Sequence, residues 1–189
     1  MANFTAVYDA CVLYPVTVRD LLMQLARTRL FRARWTTQIH EEWMRAVTQQ
    51  NPKIKREQLD RVRELMDKDS EACLVEGHEI LIPSLSLPDQ NDHHILAAAI
   101  HCRADVIVTY NLKDFPADKL AVHGIEAQHP DEFLCHLMDI GPEIVCGSVK
   151  ECRERLKNPP FDPASYLTLL EQRELLQFVF HLKNSSFLI

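Results

Sequence analysis

Two short, uninterrupted apolar runs constrain this chain more than any other feature. "FTAVY" (residues 4–8) and "DVIVT" (105–109) are too short for helices and lack the alternation of half-exposed strands. A strand without alternation needs cover on both faces, which is the situation of a parallel sheet with helices on either side. The intervening sequence supplies those helices. Residues 16–29 repeat Val18, Leu21, Leu22, Leu25 and Ala26 at helical spacing. Thr36 and Thr37 offer N-caps for a helix over 38–50, and residues 54–72 place Leu59, Val62, Leu65 and Met66 on one face. Residues 74–82 read as extended or irregular, Pro83 and Pro88 bracket a loop, 91–102 read as a helix, and "GIEAQ" marks an edge strand. Strands alternating with helices predict an α/β fold, a parallel sheet flanked by helices with right-handed crossovers.

From Pro130 onward the pattern is helical only. Pro130, Pro142 and Pro163 each stand where a helix can begin, and "KNPPFDP" (157–163) reads as a connector. We therefore expect an α/β domain over 1–129 and an α-helical C-terminal extension over 130–189. The extension is expected to pack or bind a partner and not to do chemistry, so a soluble chain ending near Gly141 should retain some of the activity that the first domain carries. No apolar run approaches the roughly 18 to 20 residues that cross a bilayer. "MANFTAVYDACVLYP" lacks a basic start and carries Asp9 within its apolar stretch, so it reads as a strand and not a signal peptide. The six cysteines form no CxxC pair, which suggests buried thiols in a reducing cytosol and a cytoplasmic protein.

The net charge of −6 argues against a general polyanion binder. It is unevenly spread: residues 19–63 hold 11 Lys and Arg against 5 Asp and Glu. Such a segment can hold nucleic acid locally, although on charge alone a solvated helix face is the simpler reading. Arg19, Arg27, Arg29, Arg32, Arg34 and Arg45 are the candidates for phosphate contacts.

Four carboxylates from distant parts of the chain can meet at one rim. In open α/β sheets, ligands bind beyond the carboxyl ends of the strands. Asp9 follows the first strand, Asp114 follows "DVIVT" by five residues, Asp92 opens the helix leading into that strand, and Glu42 lies on an early helix. Each has an ordinary alternative. Asp89 or Asn91 can cap the 91–102 helix, and Asp92 in its first turn can complement the helix dipole. Glu41 and Glu42 can be helix surface, and Asp114 before Phe115-Pro116 can be a turn residue. Asp9 is harder to dismiss, since a carboxylate directly after an apolar strand is costly without a cation or hydrogen bonds. His94, His101 and Cys102 raise a zinc alternative, but no second cluster has ligand spacing. His93 and His94 read instead as polar surface at the rim.

These residues also carry a resemblance. "VYDACVLYP", "IHEEW", "LPDQNDHHILAAAI" and "VTYNLKDFP" occur in the order found in PIN-domain nucleases, a family that includes the toxin ribonucleases of VapBC-type toxin–antitoxin systems. The match covers roughly residues 3–128, and the tail resembles the helical extension of one subgroup. The resemblance implies a catalytic, metal-binding set of Asp9, Glu42 (with Glu41 as the fallback), Asp92 and Asp114. Asp89, Thr109 and Asn111 would be accessory. It implies Mg²⁺ or Mn²⁺, hard ions that prefer carboxylate oxygens and retained water. Such ions polarise a phosphodiester and activate water. The activity implied is metal-dependent endoribonuclease cleavage leaving 5′-phosphate and 3′-hydroxyl ends. Arg27, Arg29, Arg32 and Arg34 would hold the RNA, a cognate antitoxin would cover the acidic groove, and the toxin would form a homodimer without a membrane role. Alternatives are an RNA-processing or DNA-directed PIN nuclease, and a catalytically weak PIN module acting by protein binding. One departure stands out: where the family often places a hydroxyl residue and then Asn or Ser after the first Asp, this chain has Ala10-Cys11. That predicts a missing hydrogen bond beside Asp9.

Overall fold

The two apolar runs lie side by side. In the computed structural model, which describes residues 4–70, 72–183 and 189, they form β1 (Thr5–Tyr8) and the core of a later strand, Val106–Val108. Val106–Val108 becomes β3, because a strand that the sequence pattern did not disclose, β2 (Arg32–Arg34), precedes it. With β4 (Glu126–Gln128) the sheet is parallel in the order β2-β1-β3-β4. Register is set by Ala6 opposite Val106, Val7 opposite Ile107 and Tyr8 opposite Val108. Both central strands are wholly buried, as their lack of alternation requires. β2 has only three residues, of which Ala33 alone is buried, so its apolar signal was too short to register.

The chain groups into two units, one holding the residues through Tyr14 with Phe31–His129, the other Pro15–Leu30 with Pro130–Ile189. The first contains the sheet and α1 (Ala10–Leu13), with the later helices α3 (Thr37–Gln50), α4 (Arg56–Asp69), α5 (His93–His101) and α6 (Ala117–Ala121). Thr36 caps α3, its hydroxyl accepting the Ile39 N–H at 3.1 Å. The expected helix over 91–102 is split: a 3-10 turn, Gln90–Asp92, precedes α5. Residues expected to be irregular include a further 3-10 stretch, His78–Ser84, packed against α5. Ala97, Ala98 and Ala99 of α5 are fully buried, and their small side chains let the helix approach β1 and β3 closely.

The second unit joins α2 (Val16–Arg27) to α7 (Pro130–Ile140), α8 (Pro142–Arg155), α9 (Pro163–Glu171) and α10 (Leu176–Lys183). All three anticipated prolines open helices. The division at residue 129 thus differs from the spatial grouping by α2. That helix buries Val18, Arg19 and every residue from Leu21 to Ala26, more than one stripe, and α8 and α9 cover it. A chain ending near Gly141 would strip that cover and expose the α2 leucines, so such a truncation is expected to aggregate rather than keep a soluble core. Within the same unit the buried Asp131 carboxylate accepts the N–H groups of Gln177 (3.0 Å) and Phe178 (2.8 Å), fastening the start of α10 to α7. All six cysteines are free thiols, and among the described residues no helix is long and apolar enough to cross a membrane.

Candidate active site

In this sheet the chain leaves β1 for β2 on one side and later returns to place β3 on the other. The topological switch point therefore lies between the carboxyl ends of β1 and β3. Asp9 and Thr109 stand at those two ends. The Thr109 hydroxyl, fully buried, donates to Asp9 Oδ2 at 2.6 Å and accepts the Asn111 N–H at 2.9 Å. Asp9 is only 5% exposed and caps α1, Oδ1 accepting the Cys11 N–H at 3.4 Å.

Cys11 fills the gap that Ala10-Cys11 was expected to leave. Its thiol lies 3.1 Å from Asp9 Oδ2 as a donor, and its sulfur accepts the Tyr110 N–H at 3.2 Å. Burial, then the Asp9 carboxylate, push the Cys11 thiol pKa up, so it stays protonated and able to donate. The expectation of a missing support beside Asp9 is thus corrected: a thiol does the work of a hydroxyl.

Asp92 ends the 3-10 turn and enters α5 without making a capping hydrogen bond. Asp89 instead caps the 3-10 turn, its Oδ1 accepting the Asn91 N–H at 2.9 Å. Asp92 is half-buried, and its pKa is raised to about 7, first by desolvation, then by the charges of Asp9, Asp89 and Asp114, with His94 opposing. Carboxylates from the end of β1, the loop before α5, and the 3-10 turn Leu112–Asp114 thus all act against the charge of Asp92. Asn111 flanks that turn through its backbone; its side chain makes no capping bond there.

Glu42 approaches from α3. Gln38 donates to its Oε1 at 3.1 Å, and His94 Nε2 lies 3.0 Å from the same oxygen. That second contact is close enough for an ion pair but out of line for a hydrogen bond, so neither nitrogen of the buried His94 ring makes an aligned bond. Glu41 is instead engaged at the surface by Arg56, at 2.6 Å, which holds its carboxyl below the usual range. Among the described residues, no group of three or more His, Cys, Asp or Glu side chains is drawn together tightly enough to hold a metal ion as it stands.

The histidines differ from the expected polar surface. His93 Nε2 accepts the Leu87 N–H at 3.1 Å and pins the loop before α5, while His94 is 3% exposed. Their neighbours in sequence, two aspartates and an asparagine, masked that difference. Of the basic candidates, Arg19 is buried on α2. Arg27, Arg29, Arg32 and Arg45 are exposed, and Arg34 is half-buried. Arg32 Nε donates to Thr5 Oγ1 at 3.2 Å, and Arg34 Nη1 to the Ala33 carbonyl at 3.1 Å.

A parallel α/β sheet with acids gathered at its switch point is the architecture of the PIN domain, and residues 5–113 match the PIN domain model. The chain belongs to that family. Residues 130–184 match a second model, the VapC50 C-terminal domain. Over 97 residues the chain is 43% identical to "Putative ribonuclease VapC50" of Mycobacterium tuberculosis, an alignment covering 51% of this chain and 57% of that protein. The chain therefore aligns with little more than half the length of that relative. No solved structure matches.

Proposed function

We propose that this chain is a metal-dependent endoribonuclease and the toxin of a type II toxin–antitoxin pair. The observation that carries the reading is the crowding of Asp92 by Asp9, Asp89 and Asp114, at a switch point where Asp92 has no capping duty. Buried like charges are costly, and proteins keep them where a cation or a reacting group needs them. The donor set fits a hard divalent ion, since all four leading candidates, Asp9, Glu42, Asp92 and Asp114, offer carboxylate oxygens. Mg²⁺ or Mn²⁺ bound there would supply Lewis-acid activation of a phosphodiester and of the attacking water.

The protein's own residues orient that chemistry. Thr109 and Cys11 hold both oxygens of Asp9 in one direction, and Asp89 fixes the loop that presents Asp92. Asn111 keeps Thr109 aligned through its backbone N–H. Arg27, Arg29, Arg32 and Arg34 would contact phosphates, positioning RNA without reading its sequence. The similarity to a protein named as a ribonuclease supports RNA over DNA as the substrate, and the match to the VapC50 C-terminal domain supports a toxin with an antitoxin partner. A homodimer and a cytoplasmic location complete the proposal.

The full chain incubated with single-stranded RNA in Mn²⁺ should cleave it, and in EDTA should not. Sequencing the fragment ends should find 5′-phosphates. A module that acts only by protein binding gives intact RNA in both samples, and a DNA-directed nuclease cleaves single-stranded DNA in preference.

A further inference from the structure

We propose that His94 is a positioning residue that holds the Glu42 carboxylate in its working orientation. The inference rests on the reading of Glu42 as a metal ligand and adds to it the group that sets its aim. His94 stands two residues after Asp92 on α5, whereas Glu42 belongs to α3, so the contact between them ties together the two helices that bring acids to the rim. The His94 charge is also felt at Asp92, which puts the ring within reach of both acids.

Three observations point to positioning. First, His94 is 3% exposed and neither ring nitrogen makes an aligned hydrogen bond, an arrangement that ordinary core packing avoids. Second, its Nε2 lies 3.0 Å from Glu42 Oε1, so a small rotation of either side chain completes the bond. Third, Gln38 reaches the same Oε1 from one turn earlier on α3, and Oε2 takes no part in either contact. With Oε1 bonded by Gln38 and faced by His94, Oε2 is the oxygen left for a ligand. A glutamate has three rotatable side-chain torsions, and fixing them beforehand removes an entropic cost from ion binding. The role asked of Nε2 is to carry an N–H toward Oε1, which is a matter of shape and hydrogen bonding.

The test is a Mn²⁺ titration of the full chain followed by the paramagnetic resonance of free Mn²⁺. His94→Phe keeps ring volume and removes the donor; His94→Gln restores an N–H close to Nε2. His94→Phe is expected to weaken Mn²⁺ binding by about 10- to 100-fold, the range seen when partners behind metal ligands are removed. His94→Gln should recover most of that loss. In a Glu42→Gln background, His94→Phe should add little, because the residue it aims is already neutralised. If Glu42→Gln weakens Mn²⁺ binding while a folded His94→Phe binds like the parent, this inference fails and the reading of the site stands. Equal losses with and without Glu42 likewise overturn it. If the parent itself does not bind Mn²⁺, the reading fails first and takes the inference with it. Should His94→Phe not fold, His94→Asn, smaller and without a group at Nε2, must show the same loss and the same dependence on Glu42.

Discussion

Two buried histidines of the sheet-containing unit, His40 on α3 and His94 on α5, each lie beside a carboxylate, yet their surroundings differ in kind. His40 is fully satisfied. Trp43 Nε1 can only donate, and it does so to His40 Nδ1 at 2.9 Å, which leaves the ring proton on Nε2 to reach Asp67 Oδ1 at 2.9 Å. Trp35 Nε1 donates to the same Asp67 oxygen at 2.8 Å. His40 also meets Trp35 and Trp43 edge-on, with centroids 5.9 and 6.0 Å away. His94, by contrast, has no aligned bond and faces an acid rim whose charges repel. One cluster uses a His–carboxylate pair to close a core among β2, α3 and α4. The other leaves polar groups wanting a partner that the protein does not supply. Frustrated polarity at a strand switch point, next to satisfied polarity in the same unit, is the contrast on which the proposed binding site rests.

The largest effect expected from breaking this contrast is Asp92→Asn. Cleavage and Mn²⁺ affinity should fall by about 100-fold or more, since losing an anionic ligand should cost at least as much as losing a partner behind one. The metal-free mutant should be as stable as the parent, or more so by roughly 1 kcal/mol after solvent screening, because one of several repelling charges is gone. An ordinary first-turn acid would show the reverse. Thermal melts in EDTA paired with a cleavage assay decide it, and a destabilised, fully active mutant would remove Asp92 from the site.

Asp67→Ala tests the satisfied cluster. It leaves the buried His40 Nε2–H and the Trp35 Nε1–H without their acceptor, and stability in urea should drop by about 2–3 kcal/mol. Mn²⁺ affinity of the remaining folded protein should not change. A loss of metal binding equal to that of Asp92→Asn would erase the distinction between the two clusters.

The two clusters also respond to pH in opposite directions. Asp92 is raised in the fold, so its contribution to metal-free stability is complete below its unfolded pKa near 4 and is lost as pH rises through about 7. His40 is lowered, chiefly by burial, so its contribution is present at neutral pH and is lost as pH falls below its ordinary value of 6.5. The stability gap between Asp92→Asn and the parent should therefore grow from near zero at pH 4 to roughly 1 kcal/mol at pH 8. A gap independent of pH would mean that Asp92 is not crowded by charge.

The legible part of the molecule was what periodicity and punctuation encode. β1 and β3 showed as continuous apolar runs, and the prolines at 130, 142 and 163 announced their helices. β2 was lost because three residues carry too little pattern, and the spatial grouping of α2 with the C-terminal helices was not visible because burial around a helix does not say which partners cover it. At the candidate site, motif order picked out the acids, but nothing local distinguished His94 from His93. One is buried against Glu42 and the other pins a loop, a difference set by which side of α5 faces α3. Cys11 was visible only as a departure, and its thiol could be recognised as a donor once Asp9 and Tyr110 were placed around it.

The smallest effect concerns the basic segment, which tests whether the acid rim works alone. Arg27 and Arg29 belong to one unit and Arg32 and Arg34 to the other, so the pairs are best replaced separately. Each change has a local cost that has nothing to do with RNA. Arg27 ends α2, where a cation complements the helix dipole by a few tenths of a kcal/mol. Arg29 already sits at φ 61, a strain that alanine would share. Arg32 loses its bond to Thr5, and Arg34 its bond to the Ala33 carbonyl. Affinity at one salt concentration therefore mixes folding with contact. The salt slope separates them, because a lost phosphate contact releases fewer counterions whatever happens to stability. For single-stranded RNA each lost contact should lower the log–log slope by about 0.7, so a double replacement in either pair should lower it by roughly 1.4. Measured on the Asp92→Asn protein, which should bind RNA without cutting it, an unchanged slope in both pairs would reduce the basic segment to a solvated face and leave RNA held by the acid rim's ions alone.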